Sequence, residues 1–141
     1  MEWWVQALIS LVTGGVAGAA VNAWVTTRKQ RLEVTLSVIR DFFSIYDDVG
    51  KVKGILAETD VNKALGDTAN LVRVRRTGDW FHYVASLLST KVVDRDLLEK
   101  VAIVTELDRF REAVSTAKTR SPQHLEDAWH WWPNIENFKR S

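Results

Sequence analysis

His82, His124 and His130 are the chain's only imidazoles, so acid–base or metal chemistry would have to start from them. His124 and His130 are six residues apart. On one helix that spacing puts them on opposed faces, the wrong phase for two ligands to one metal ion, and no H-E-x-x-H is present. His82 stands among Trp80, Phe81 and Tyr83, the setting of a histidine at the edge of an apolar core. Two carboxylate pairs, Asp47-Asp48 and Asp94 with Asp96, are the remaining acid–base candidates. The first falls on a helix exterior and the second reads as helix capping, and neither has a pocket to shift its pKa. Gly14-Gly15 and Gly18 lie inside an uncharged run with no strand before them, so they do not make a phosphate-cradling loop. There is no cysteine, which removes disulfide frameworks, cysteine-ligated zinc and thiol catalysis together. These residues point away from an enzyme, and no cofactor, metal ion or small-molecule substrate is expected.

Two clusters are better suited to contact than to catalysis. Arg73, Arg75 and Arg76 form a local basic group that reads first as a solvated face. Its main functional options are anionic lipid headgroups or a partner's acidic patch, with RNA or DNA a lesser one. A net charge of +1 gives no global electrostatic case for nucleic acid, and none is expected as a partner. Trp129, Trp131 and Trp132 flank and follow His130. On a helix Trp129 and Trp132 share a face while Trp131 points elsewhere, so one pair can close a core and the remaining ring marks a partner surface.

The element that must position everything else is the stretch Trp3 to Val25, WWVQALISLVTGGVAGAAVNAWV, which holds no charge. At about 1.5 Å per residue a helix through it covers roughly the 30 Å of a bilayer core. Trp3, Trp4 and Trp24 stand at its two ends, where amphipathic rings favour the membrane interfaces. Arg28, Lys29 and Arg31 follow it, against Glu2 alone before it. The excess of positive charge predicts a single-pass protein of the inner (cytoplasmic) membrane, N-terminus outside and the C-terminal domain in the cytosol. The same three cations suit lipid headgroups. Two other readings compete: a cleaved signal peptide, for which Ala17-Gly18-Ala19 offers a site, and a buried core helix. The acidic leading end and the uncharged run past Ala19 weigh against the first, and the tryptophans with the basic flank weigh against the second.

Gln6, Ser10, Gly14, Gly18 and Asn22 recur at every fourth position and form one slanted stripe on that helix. Glycines at this spacing let two backbones approach, and the polar side chains can hydrogen-bond across the contact. The stripe therefore predicts association with another membrane protein or with a second copy. Val5, Leu8, Ile9, Val12, Val16, Ala19 and Ala23 make the opposite face, which suits lipid tails.

The rest of the chain leaves room for one small domain of about 110 residues. Residues 29–57 predict one long amphipathic helix, into which the membrane helix can run directly. Leu32, Leu36, Ile39, Phe43 and Tyr46 make one apolar row, and Val38, Phe42, Ile45, Val49, Val52 and Leu56 the adjacent one. Together they read as a wide core-facing stripe rather than a narrow coiled-coil seam. Residues 58–66 predict a connection, with Asp60 a possible cap. A second helix is expected over about 67–90, with Gly78 a possible close-packing site. A third starts at Asp94 and carries Leu97, Leu98, Val101, Val104, Leu107, Phe110 and Val114 on its buried side. Ser121-Pro122 restarts a last helix to Trp132, and residues 133–141 read as a loosely held tail. The expectation is all-α: a transmembrane helix over residues 3–25, then a cytosolic bundle of about four helices over residues 29–132.

This layout resembles a bacterial family catalogued as domain of unknown function 4760. The stretches that carry the likeness are RRTGDWFHYVASLLSTKVVDRDLLEK and FREAVSTAKTRSPQHLEDAWHWW. The resemblance implies a membrane helix followed by a small cytoplasmic helical domain, and it implies no activity. On function the sequence favours a scaffold or accessory subunit that associates through the transmembrane stripe. The alternative is a membrane-active effector, toxin- or holin-like, whose anchors assemble in the bilayer.

Overall fold

The computed structural model describes residues 3–120 and residue 135, with side chains described from Asn22 onward. All the elements are helices: α1 (Trp3–Ala57), α2 (Val61–Gly66), α3 (Thr68–Ser89), α4 (Arg95–Lys100) and α5 (Ile103–Arg120). The last helix expected from Pro122 to Trp132 lies outside the described residues.

α1 runs for 55 residues, about 80 Å at 1.5 Å per residue, through the expected junction near Val25 without interruption. Nothing there opposes helix. Thr26 and Thr27 turn their hydroxyls back to the carbonyls of Asn22 and Ala23, at 2.8 and 2.9 Å. Gly50 and Gly54, which lower helix propensity, do not end it before Ala57.

Short polar side chains start the next helices. Asp60, Asp67 and Asp94 each accept a backbone N–H of the following first turn, from Lys63, Ala69 and Leu97. The stretch expected as a simple connection therefore contains α2. Past the end of α3, Lys91 takes φ 58°, and the N–H groups of Lys91 and Val92 bond the carbonyls of Leu88 and Leu87. This is a Schellman termination, and it turns the chain sharply toward α4.

The third predicted helix is two. Ala102, at φ 65°, donates to the Glu99 carbonyl, and its own carbonyl accepts from Glu106 to begin α5. Packing explains the break. Leu98 and Ile103 are both completely buried. Five residues apart on a straight helix they would diverge by about 140°.

α3 lies antiparallel to α1. Arg73 meets Asp48, Trp80 stacks on Phe42 with ring centroids 5.7 Å apart, and at the far end the Asp94 N–H reaches Thr35. α5 begins beside Lys53, which bonds Glu106 at 2.8 Å, and its Phe110 stacks on Phe81 at 4.8 Å. Phe81, Phe110, Leu56, Leu98, Ile103 and Leu107 fill the centre, each contributing roughly 1.5–3 kcal/mol of burial. Ile135, assigned by sequence to the C-terminal tail, is instead fully buried in this core.

The two apolar rows of α1 do not share one fate. Val38, Phe42, Val49, Val52 and Leu56 are buried, with Ile45 packed against them. In the other row Ile39 is half-buried, but Leu32, Leu36, Phe43 and Tyr46 are 46–65% exposed. The wide core-facing stripe is therefore corrected to a narrow one with an exposed apolar neighbour. α3 and α5 together cover only one side of α1.

Candidate functional site

The basic residues after the uncharged run converge with a turn that sequence reading did not bring to them. Thr35 is completely buried. Its hydroxyl donates to the Arg31 carbonyl at 2.7 Å and accepts the Asp94 N–H at 2.8 Å. That pair of bonds pins the α3–α4 turn against α1 and sets Lys91, Asp94 and Arg95 beside Arg31. Three surface clefts of about 370, 390 and 440 Å³ meet here, and Arg31 lines all of them. The first is shared with Trp24, Arg28 and Asp94, the second with Lys91 and Val92, the third with Lys91, Arg95 and Asp96.

Trp24 is exposed, and the Arg28 guanidinium sits over its ring at 5.3 Å from the centroid. An exposed cation–π contact of this kind contributes about 0.5–1 kcal/mol and holds the arginine along the helix rather than free in solvent. Lys29 faces Glu33 one turn on, at 4.0 Å. Arg95 pairs with Glu99 at 3.6 Å. Arg28 and Arg31 share the cleft beside the exposed indole with Asp94, and Glu33 and Asp96 line the neighbouring clefts, so the cations here stand among carboxylates.

The other predicted residues are placed differently. Asn22 is exposed, whereas the side chains of Gln6, Ser10, Gly14 and Gly18 lie before the described ones. Trp129, Trp131, Trp132, His124 and His130 fall outside the described residues. The Arg73, Arg75, Arg76 cluster is divided: Arg73 is half-buried and bonds Asp48 at 3.2 Å, while Arg75 and Arg76 are exposed. That bond also commits one member of the Asp47-Asp48 pair to structure. Asp94 spends its carboxylate on capping α4. His82 is half-buried in α3, and its carbonyl accepts from Ser86. Among the described residues no group of three or more potential ligands could hold a metal ion.

Two features escaped the sequence. Glu106 is buried and takes Lys53 at 2.8 Å and Arg109 at 2.9 Å. Its partner Lys53 lies 53 residues away, and no local pattern announces it. The exposure of Leu32, Leu36, Phe43 and Tyr46 is the second, and the sequence held a signal that two rows exist but not which one is covered. The two rows are each spaced by alternating fours and threes, so they are separate seams one residue apart.

Among the residues whose side chains are described, from Asn22 onward, no helix is long and apolar enough to cross a membrane. No family model, curated protein or solved structure matches the chain.

Proposed function

We propose that the chain is a single-pass membrane protein whose residues 3–25 form the anchor and whose helical domain, on the cytosolic side, serves as a scaffold or accessory subunit. The observation that carries this reading is the continuity of α1. The uncharged stretch and the helix bearing the core row are one unbroken element from Trp3 to Ala57. Trp24, Arg28 and Arg31 then fall at the junction, together with the Lys91 turn, where an interface with anionic lipid would lie. The family resemblance belongs to the same proposal, since it implies the same order of anchor and domain. Association through Gln6, Ser10, Gly14, Gly18 and Asn22 would give the scaffold its contact within the bilayer.

The test is fractionation of the full chain carrying a C-terminal tag. An anchored protein stays in the membrane pellet through alkaline carbonate and leaves only with detergent. Its tag resists protease added to spheroplasts and is cleaved once they are lysed. Release by carbonate or high salt overturns the anchor. Leakage of a vesicle-trapped dye on reconstitution would replace the scaffold with the membrane-active effector.

A further inference from the structure

Leu32, Leu36, Ile39, Phe43 and Tyr46 follow one another at intervals of four, three, four and three residues. That is the spacing of a two-stranded coiled-coil seam, and all but the half-buried Ile39 are exposed. Carried toward the N-terminus, the same register falls on Lys29, Val25 and Asn22. In heptad notation Asn22, Lys29, Leu36 and Phe43 take position a, and Val25, Leu32, Ile39 and Tyr46 take position d. We propose that this face of α1 is covered by the same face of a second copy, in a parallel, in-register pair running from about Asn22 to Tyr46. The parallel direction rests on the anchored reading above, which inserts both copies the same way round.

Charge selects this occupant. In a parallel pair the g residue of one helix meets the e residue five positions on in its partner. Arg28 is at g and Glu33 at e, both exposed, so a two-fold pair can make two arginine–glutamate bridges when Arg28 turns from Trp24 and Glu33 from Lys29, their neighbours within one chain. The next g positions, Thr35 and Phe42, belong to the core row and set no charge against Arg40 or Asp47. An antiparallel pair sets e against e, where Glu33 can meet Arg40, so the direction rests on the shared insertion and not on charge. The polar a residues act in the same sense. Asn22 and Lys29 weaken a seam but fix its register and favour two strands.

Position fits as well. The seam's register continues from Asn22 to Gly18, and both belong to the small and polar stripe of the uncharged run. Contact along Leu32 to Tyr46 thus meets the bilayer stripe at Asn22 and Gly18, beyond which the stripe winds away from the seam through g, c and f at Gly14, Ser10 and Gln6.

The absence of cysteine supplies the test. Single cysteines are placed in the full chain at Leu36, Phe43 and Tyr46 on the seam. Ser37, Ser44 and Lys51, exposed positions off it, serve as controls. Native membranes are then treated with a mild oxidant. Disulfide-linked dimer should form about tenfold more at the seam, where facing a and d side chains come within bonding distance. Arg28→Glu should lower the yield from Leu36→Cys, Glu33→Arg should do the same, and the double exchange should restore it. All of these positions are exposed, so the fold survives the changes. Equal yields on and off the seam overturn the proposal, as does the absence of dimer in chain recovered from the carbonate-washed pellet. If the chain is not in that pellet, the anchor reading fails by itself. Cross-links at the seam in the soluble fraction would then uphold the pair, and their absence would end it.

Discussion

Thr35 shows how much one hydroxyl can organise. It sits in the core row of α1, completely buried, and serves as donor to Arg31 and acceptor from Asp94 at once. Thr35→Val keeps the shape and strands the Asp94 N–H, so it should cost about 1–3 kcal/mol in urea unfolding of the detergent-solubilised chain. Thr35→Ser should recover most of that loss. Lys53 is the second such residue. Lys53→Met leaves the buried Glu106 carboxylate with Arg109 alone. The expected loss is about 1–2 kcal/mol, below that of a fully buried pair because Lys53 stays one-third exposed. The double change Lys53→Met with Glu106→Leu should regain stability, since it removes the buried charge along with its partner. Neither residue could be singled out from sequence. Thr35 is one threonine in a helix that reads as amphipathic, and its partner is 59 positions away.

Among the elements, legibility followed locality. Asp60 and Asp94 were readable as caps because an N-cap bonds an N–H two or three residues on and needs no tertiary partner. Periodicity gave the buried positions Val38, Phe42, Val49 and Leu56 for the same reason. It could not say which row of α1 would be covered, because that depends on where α3 and α5 dock. The split of α4 from α5 was hidden because its turn uses alanine, where glycine is the usual signal. Ala102 holds φ 65° with a Cβ that disfavours it. Ala102→Gly should therefore stabilise the chain by about 0.5–1 kcal/mol, read as a higher midpoint in thermal unfolding followed by circular dichroism.

For the molecule as a whole, residue 135 sets how much chain the fold needs. Ile135 is fully buried against the core, so Ile135→Ala should cost about 2–5 kcal/mol in the same urea titration. Residue 135 thus belongs to the folded unit rather than to a dispensable end. The two apolar rows of α1 carry a different consequence. Because they are offset by one residue, turning the helix by about 100° would exchange them between Leu32 and Tyr46. Past Tyr46 the two settings differ: one buries Val49, Val52 and Leu56, and the other would bury Gly50 and Lys53. Only one of them brings Thr35 to the Asp94 amide, Asp48 to Arg73 and Lys53 to Glu106. These three polar contacts add modestly to stability and hold the same setting that burial of Val49, Val52 and Leu56 favours. The row left outside is the one that the proposed second copy would meet.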